Sequence, residues 1–183
     1  MKNNDLSGSS DLQTFRPQTL RPSDRKIHTL LVSHLLPCLP AAGQDQVKVI
    51  ISAEKSIGSL VLASDGRCAP LVISPGEWPG VRRAMTDLQN DLGMVTGTTP
   101  ELVAASKAPR SGFILIAGTI GKSTLVDHLA KKGKIDLAAV EGKWESFVIQ
   151  TVEKPFPGVK KALVIAGSDK RGTIYGIYEI SRQ

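Results

Sequence analysis

Four consecutive side chains, Ser168, Asp169, Lys170 and Arg171, put a hydroxyl, a carboxylate, an ammonium and a guanidinium into one short loop. Gly167 and Gly172 bracket them, and Gly176 follows one helical turn later. A carboxylate can give or take a proton, and a guanidinium fork suits an anionic ligand. The apolar run Ala162–Ala166 leads into the loop, and Ile174, Ile177, Tyr178 and Ile180 follow it at helical spacing. That order predicts a buried strand, a tight turn and a helix start. Gly167 is expected to take backbone angles closed to other residues, and Gly172 and Gly176 to permit close backbone approach.

Other chemistries fit less well. Gly121-Lys122-Ser123-Thr124 follows a predicted strand and opens a predicted helix, the context of a phosphate-binding loop. Such a loop needs its first glycine five residues before the second, and that position is Ile116, inside the strand. Gly118 is too close to Gly121 for the loop to wrap a phosphate, so a nucleotide triphosphatase is disfavoured. The bland role of this turn is a helix cap from Ser123 or Thr124. No GxGxxG is present, and no serine sits in a nucleophile elbow. Asp169 and Glu179 are the nearest pair of acids for glycoside chemistry, but Glu179 falls on the expected solvent face of the last helix. Trp78 and Trp144 are candidates for stacking on sugars; the structural reading, favoured here, has Trp78 stapling a helix start and Trp144 opening a strand. Cys38 and Cys68 form no CxxC or Cys/His cluster, so no metal site and no cofactor is assigned. His28, His34 and His128 have no useful spacing.

The elements that must position the loop read in order. Val47–Ile51 and Leu60–Ala63 are expected to form a hairpin, and Ala69–Ile73 a buried strand. Pro79 fits a helix start, and Val81, Met85, Leu88, Leu92 and Val95 form one apolar stripe closed by Gly97. Strands are predicted over Thr99–Ala104, Gly112–Ala117 and Trp144–Val152, and a helix over Ser123–Lys132, before the strand and loop at Ala162–Gly176. The fold class is α/β, a mixed β-sheet flanked by helices.

Aromatic residues are only 4% of the chain, too few for the stacking platforms of a typical nucleic-acid binder. The formal charge of +6 comes from scattered pairs such as Arg82-Arg83 and Lys160-Lys161 rather than a dense stripe, so no nucleic-acid partner is assigned. Residues 1–43 are set apart as a disordered N-terminus carrying a signal-peptide-like segment over 25–43. That segment has a basic flank at Arg25-Lys26, an apolar run from Ile27 to Leu39, and small residues at Ala41-Ala42-Gly43. Secretion is the expectation, and the run is too short to span a bilayer. The folded α/β domain is assigned to 47–183.

Two long motifs, Gly142-Lys143-Trp144-Glu145-Ser146-Phe147-Val148-Ile149-Gln150 and Ala162 through Tyr178, resemble glycoside hydrolase family 115. The resemblance extends from about Val47 to Gln183. It implies the N-terminal α/β domain of a xylan α-1,2-glucuronidase, which hydrolyses glucuronic acid or its 4-O-methyl ether from xylan side chains with inversion. It also implies that the catalytic carboxylates belong to a following (β/α)₈ barrel, a unit of ~250 residues that this chain does not hold. No catalytic residue carries over, and the fragment is expected to be inactive, a truncated or mis-assigned gene product. The missing barrel is then the implied partner, with glucuronoxylan as the implied polysaccharide. Ser168, Asp169, Lys170 and Arg171 become substrate-binding or interdomain residues; in the alternative role Asp169 caps the helix and Arg171 pairs internally. A stand-alone carbohydrate- or partner-binding α/β module is the second expectation.

Overall fold

The computed structural model describes residues 29–33, 50–52 and 60–183. In chain order the elements are β1 (Thr29–Ser33), β2 (Ile50–Ser52), β3 (Leu60–Ser64), β4 (Arg67–Cys68), β5 (Leu71–Ile73), α1 (Pro79–Thr96), β6 (Leu102–Ala104), β7 (Phe113–Thr119), α2 (Thr124–Lys131), β8 (Phe147–Glu153), β9 (Lys161–Gly167) and α3 (Lys170–Ser181). They form a five-stranded sheet in the order β6-β5-β7-β9-β8 and a four-stranded sheet in the order β2-β1-β3-β4.

The larger sheet follows from the apolar runs. A strand covered on both faces needs no polar alternation, and β7 and β9 are apolar on both. Leu115 and Ala117 of β7, with Leu163 and Ile165 of β9, point to α1 and α3. Ile114 and Ile116, with Ala162, Val164 and Ala166, point to α2 and the loop residues Ile135, Leu137 and Val140. β6, β5, β7 and β9 run parallel, and β8 is the antiparallel edge. The mixed sheet flanked by helices matches the expected class, and the described residues contain no closed barrel.

α1 starts with Pro79 in its first turn and ends at Gly97, whose φ of 72° closes the helix in the left-handed region. Val81, Met85, Leu88 and Leu92 are buried as the stripe requires, whereas Val95 is exposed. α2 is capped by Ser123 and α3 by Asp169, each accepting a backbone amide.

Three expectations change. β2 and β3 do not pair as a hairpin, because β1 lies between them and pairs with both. β8 begins at Phe147, so Trp144 belongs to the preceding loop. Gly167 is not among the positive-φ glycines; its requirement is space, since a Cβ there would lie 2.1 Å from the Thr173 amide nitrogen. β1 falls inside the signal-like segment 25–43, and the rest of that segment lies outside the described residues, as do residues 1–26.

Candidate binding cleft at the carboxyl end of the sheet

β5 hands the chain to α1 on one face of the sheet, and β7 hands it to α2 on the other. Their carboxyl ends therefore diverge, which opens a crevice at the position where α/β sheets carry ligands. The crevice is a cavity of about 610 Å³. Trp78 comes from the β5–α1 loop, Thr119 to Lys122 from the end of β7, and Asp169, Lys170 and Arg171 from the start of α3. Trp144 and Glu145, from the loop before β8, close its rim.

Its floor is a connected set of buried polar groups. Glu77, 4% exposed, accepts the Thr119 amide at 2.8 Å and the Thr119 hydroxyl at 3.1 Å. The Thr119 and Thr173 hydroxyls are 2.9 Å apart, linking β7 to α3. Ser74 and Ser123, both buried, join the end of β5 to the cap of α2 at 3.0 Å. A buried carboxylate with its lone pairs used fixes the loops around it more firmly than apolar packing alone.

The four sequence candidates separate into different jobs. Ser168 does not line the cleft. Its hydroxyl accepts the Ser146 amide at 3.1 Å and donates to the Ser146 carbonyl at 3.0 Å, and its own amide donates to that carbonyl at 2.9 Å. Asp169 caps α3 by accepting the Gly172 amide at 2.8 Å with Oδ1, and it accepts the Glu145 amide at 2.9 Å with Oδ2. The Gly172 amide above all, then the Glu145 amide, hold its carboxyl below the ordinary aspartate range against an opposing cost of burial, and the Arg171 amide and charge add lesser contributions in the same downward direction. Arg171 pairs with Glu145 at 2.6 Å, and that hydrogen bond is the main reason its guanidinium is held more firmly protonated. The capping and internal-pairing roles of Asp169 and Arg171 are thus both present. Lys170 is exposed on the rim.

Gly172 explains why the β8 loop can lie so close. A Cβ there would sit 2.2 Å from the Ser146 carbonyl oxygen, so only glycine lets the loop reach the first turn of α3. The same crossing carries Trp144 and Glu145 to the cleft.

Residues missed as a group in the sequence are Trp78, Lys122, Trp144 and Glu145. The Lys122 ammonium lies 4.2 Å from the centre of the Trp78 ring, a cation–π contact. Trp144 is 87% exposed, against the expected strand position, and Trp78 is 42% exposed. The available signal was the polar run Glu141-Gly142-Lys143 before Trp144, with regular alternation starting only at Phe147. At the other turn, the Gly121 amide donates to Asp127 Oδ1 at 2.8 Å and the Val126 amide to Ser123, so internal groups already take two of the amides that a phosphate would compete for. Among the described residues no three His, Cys, Asp or Glu side chains converge to hold a metal ion, and no helix is long and apolar enough to cross a membrane.

Comparison with known proteins adds the family. Among solved structures, one described as a novel family GH115 4-O-methyl-alpha-glucuronidase with specificity for decorated arabinogalactans aligns at 33% identity with a TM-score of 0.48. That alignment covers 62% of this chain and 13% of the other. No curated protein matches the chain. The family model of the glycosyl hydrolase family 67 N-terminus matches residues 65–180. That span runs from β4 to the last turns of α3, well over half of the chain, and the chain belongs to the family of glycosyl hydrolase family 67 N-termini.

Proposed function

We propose that this domain is the N-terminal domain of an α-glucuronidase, of the family 115 type its sequence motifs resemble. In that reading a separate catalytic barrel removes glucuronic acid or its 4-O-methyl ether from xylan, and this domain has no hydrolytic activity of its own. Family membership and the two sequence motifs support it. The observation that carries it is the state of the cleft carboxylates. An inverting glycosidase needs one carboxyl held protonated as general acid and a second free to activate water, about 6.5–9.5 Å apart. Asp169 spends both oxygens on backbone amides and is held ionised, the opposite of a general acid. Glu145 is tied to Arg171. Both acids hold the rim together instead of facing a scissile bond. Residues 25–43 add export to the proposal, which suits an enzyme acting on a polysaccharide outside the cell.

The test is uronic acid release from glucuronoxylan by this chain alone, followed by reducing-end and uronate-specific detection. No release above the substrate blank is expected. Turnover that scales with protein concentration would overturn the reading.

A further inference from the structure

We infer that the Trp78–Trp144 cleft binds an acidic carbohydrate, with a pyranose ring stacked on Trp144 and its anionic group against Lys122 and Lys170. The choice of a sugar over another anion rests on the glycoside hydrolase reading; the site itself rests on geometry.

The chain has two tryptophans, and both line this one cleft although they come from loops far apart in sequence. An indole left 87% exposed forgoes the burial that such a side chain usually gains, and a rigid amphipathic ring at a concave rim is a binding platform. A cavity of about 610 Å³ is of the size that encloses a small ligand. Charge then selects the ligand. Lys122, Lys170 and Arg171 share the lining with Glu145 and Asp169. Arg171 pairs with Glu145, and Asp169 stays ionised while accepting the Gly172 and Glu145 amides, so the lining keeps a net positive charge, with the Lys122 and Lys170 ammonium groups outside the Arg171–Glu145 ion pair. Lys122 is already placed over the Trp78 ring, so its position is set before a ligand arrives. Both helix starts are already capped: Asp169 accepts the Gly172 amide of α3, Ser123 accepts the Val126 amide of α2, and Asp127 accepts the Gly121 amide in the loop before α2. A phosphate needing an amide cradle would compete with these caps, whereas a carboxylate reached by lysines on a stacked sugar does not need one.

Native gel electrophoresis of the full chain tests this, run toward the cathode through gels containing glucuronoxylan, carboxyl-reduced glucuronoxylan or polyglutamate. Glucuronoxylan should retard the chain, carboxyl reduction should weaken the apparent affinity at least about fivefold, and Trp144→Ala should weaken it by about fivefold to tenfold. Lys122→Gln and Lys170→Gln should each flatten its salt dependence. A circular dichroism melt of Trp144→Ala, expected unchanged for so exposed a residue, separates lost binding from lost folding. Equal retardation by both polysaccharides, equal retardation by polyglutamate, no retardation, or a Trp144→Ala protein that binds as before would each overturn the inference. Loss of the cleft in this way leaves the accessory-domain reading standing; uronate release by the chain would overturn that reading without touching the cleft.

Discussion

Replacing Gly172 with alanine should destabilise the domain although it replaces a poor helix former with the best one. Gly172 sits in the first turn of α3, and helix propensity alone would gain about 1 kcal/mol. The new Cβ, however, would lie 2.2 Å from the Ser146 carbonyl oxygen and 3.0 Å from its amide nitrogen. The first distance is more than about 1 Å inside normal contact, and its partner is backbone, which cannot rotate away. The loop from Gly142 to Ser146 must retreat by that amount. Retreat breaks the three hydrogen bonds between Ser146 and Ser168, at 2.9, 3.0 and 3.1 Å, and strains the Glu145 amide on Asp169. At about 1 kcal/mol net for each bond, the loss is about 3 kcal/mol and the balance about 2 kcal/mol destabilising. For a domain of this size the melting temperature should fall by roughly 8 °C. Urea unfolding should show a lower midpoint with an unchanged slope. Gly76→Ala is the control: no atom lies within 4 Å of its Cβ position, and its φ is not positive, so it should be neutral or slightly stabilising. A Gly172→Ala protein that gains stability would refute the claim that this glycine exists for the crossing loop.

Leu115, fully buried in the central strand β7, should cost about 3 kcal/mol on truncation to alanine, read by urea unfolding; a cost under about 1 kcal/mol would mean that the sheet is not packed as described. Arg171→Ala should leave the melting temperature within a few degrees, because its ion pair with Glu145 is largely exposed to solvent; a large fall would make Arg171 a stability residue and not a cleft residue. Export predicts a secreted mature chain starting at Gln44, checked by N-terminal sequencing; an intact secreted or cellular chain retaining Thr29–Ser33 would favour the role of β1 as a paired strand.

Much of the fold is legible because burial on two faces leaves a mark in the sequence. The runs Phe113–Ala117 and Ala162–Ala166 have no polar interruption, and they are β7 and β9 at the centre of the sheet. The α1 stripe is equally clear at its start and fails only at Val95, where the helix outruns the core. What pairs with what is less legible. β2 and β3 are adjacent strands in sequence, yet β1 separates them, because the register of a sheet edge depends on contacts that no local pattern encodes. The cleft is legible in part. Asp169 as a cap follows from its place before a helix, but Trp144 does not reveal its exposure. A tryptophan before an alternating run reads as the first strand residue, and only the loop's crossing over Gly172 turns it outward to the rim. Glu145 and Arg171 are far apart in sequence and meet for the same reason.

The central claim, that the acids of this cleft are structural, is tested most directly by titrating Asp169. Its side-chain carboxyl carbon can be followed by NMR from pH 7 to 2, with stability measured in parallel. Bonds from the Gly172 and Glu145 amides favour the ionised form, so the folded-state midpoint should lie below the ordinary value of 3.8. An unfolded aspartate titrates at about 3.9, so this contribution is fully present above that pH and is lost as pH falls through the lower folded midpoint. Asp169→Asn should remove that part of the acid sensitivity. A midpoint raised well above the ordinary range would make Asp169 a carboxyl held ready to donate a proton, and would contradict the account.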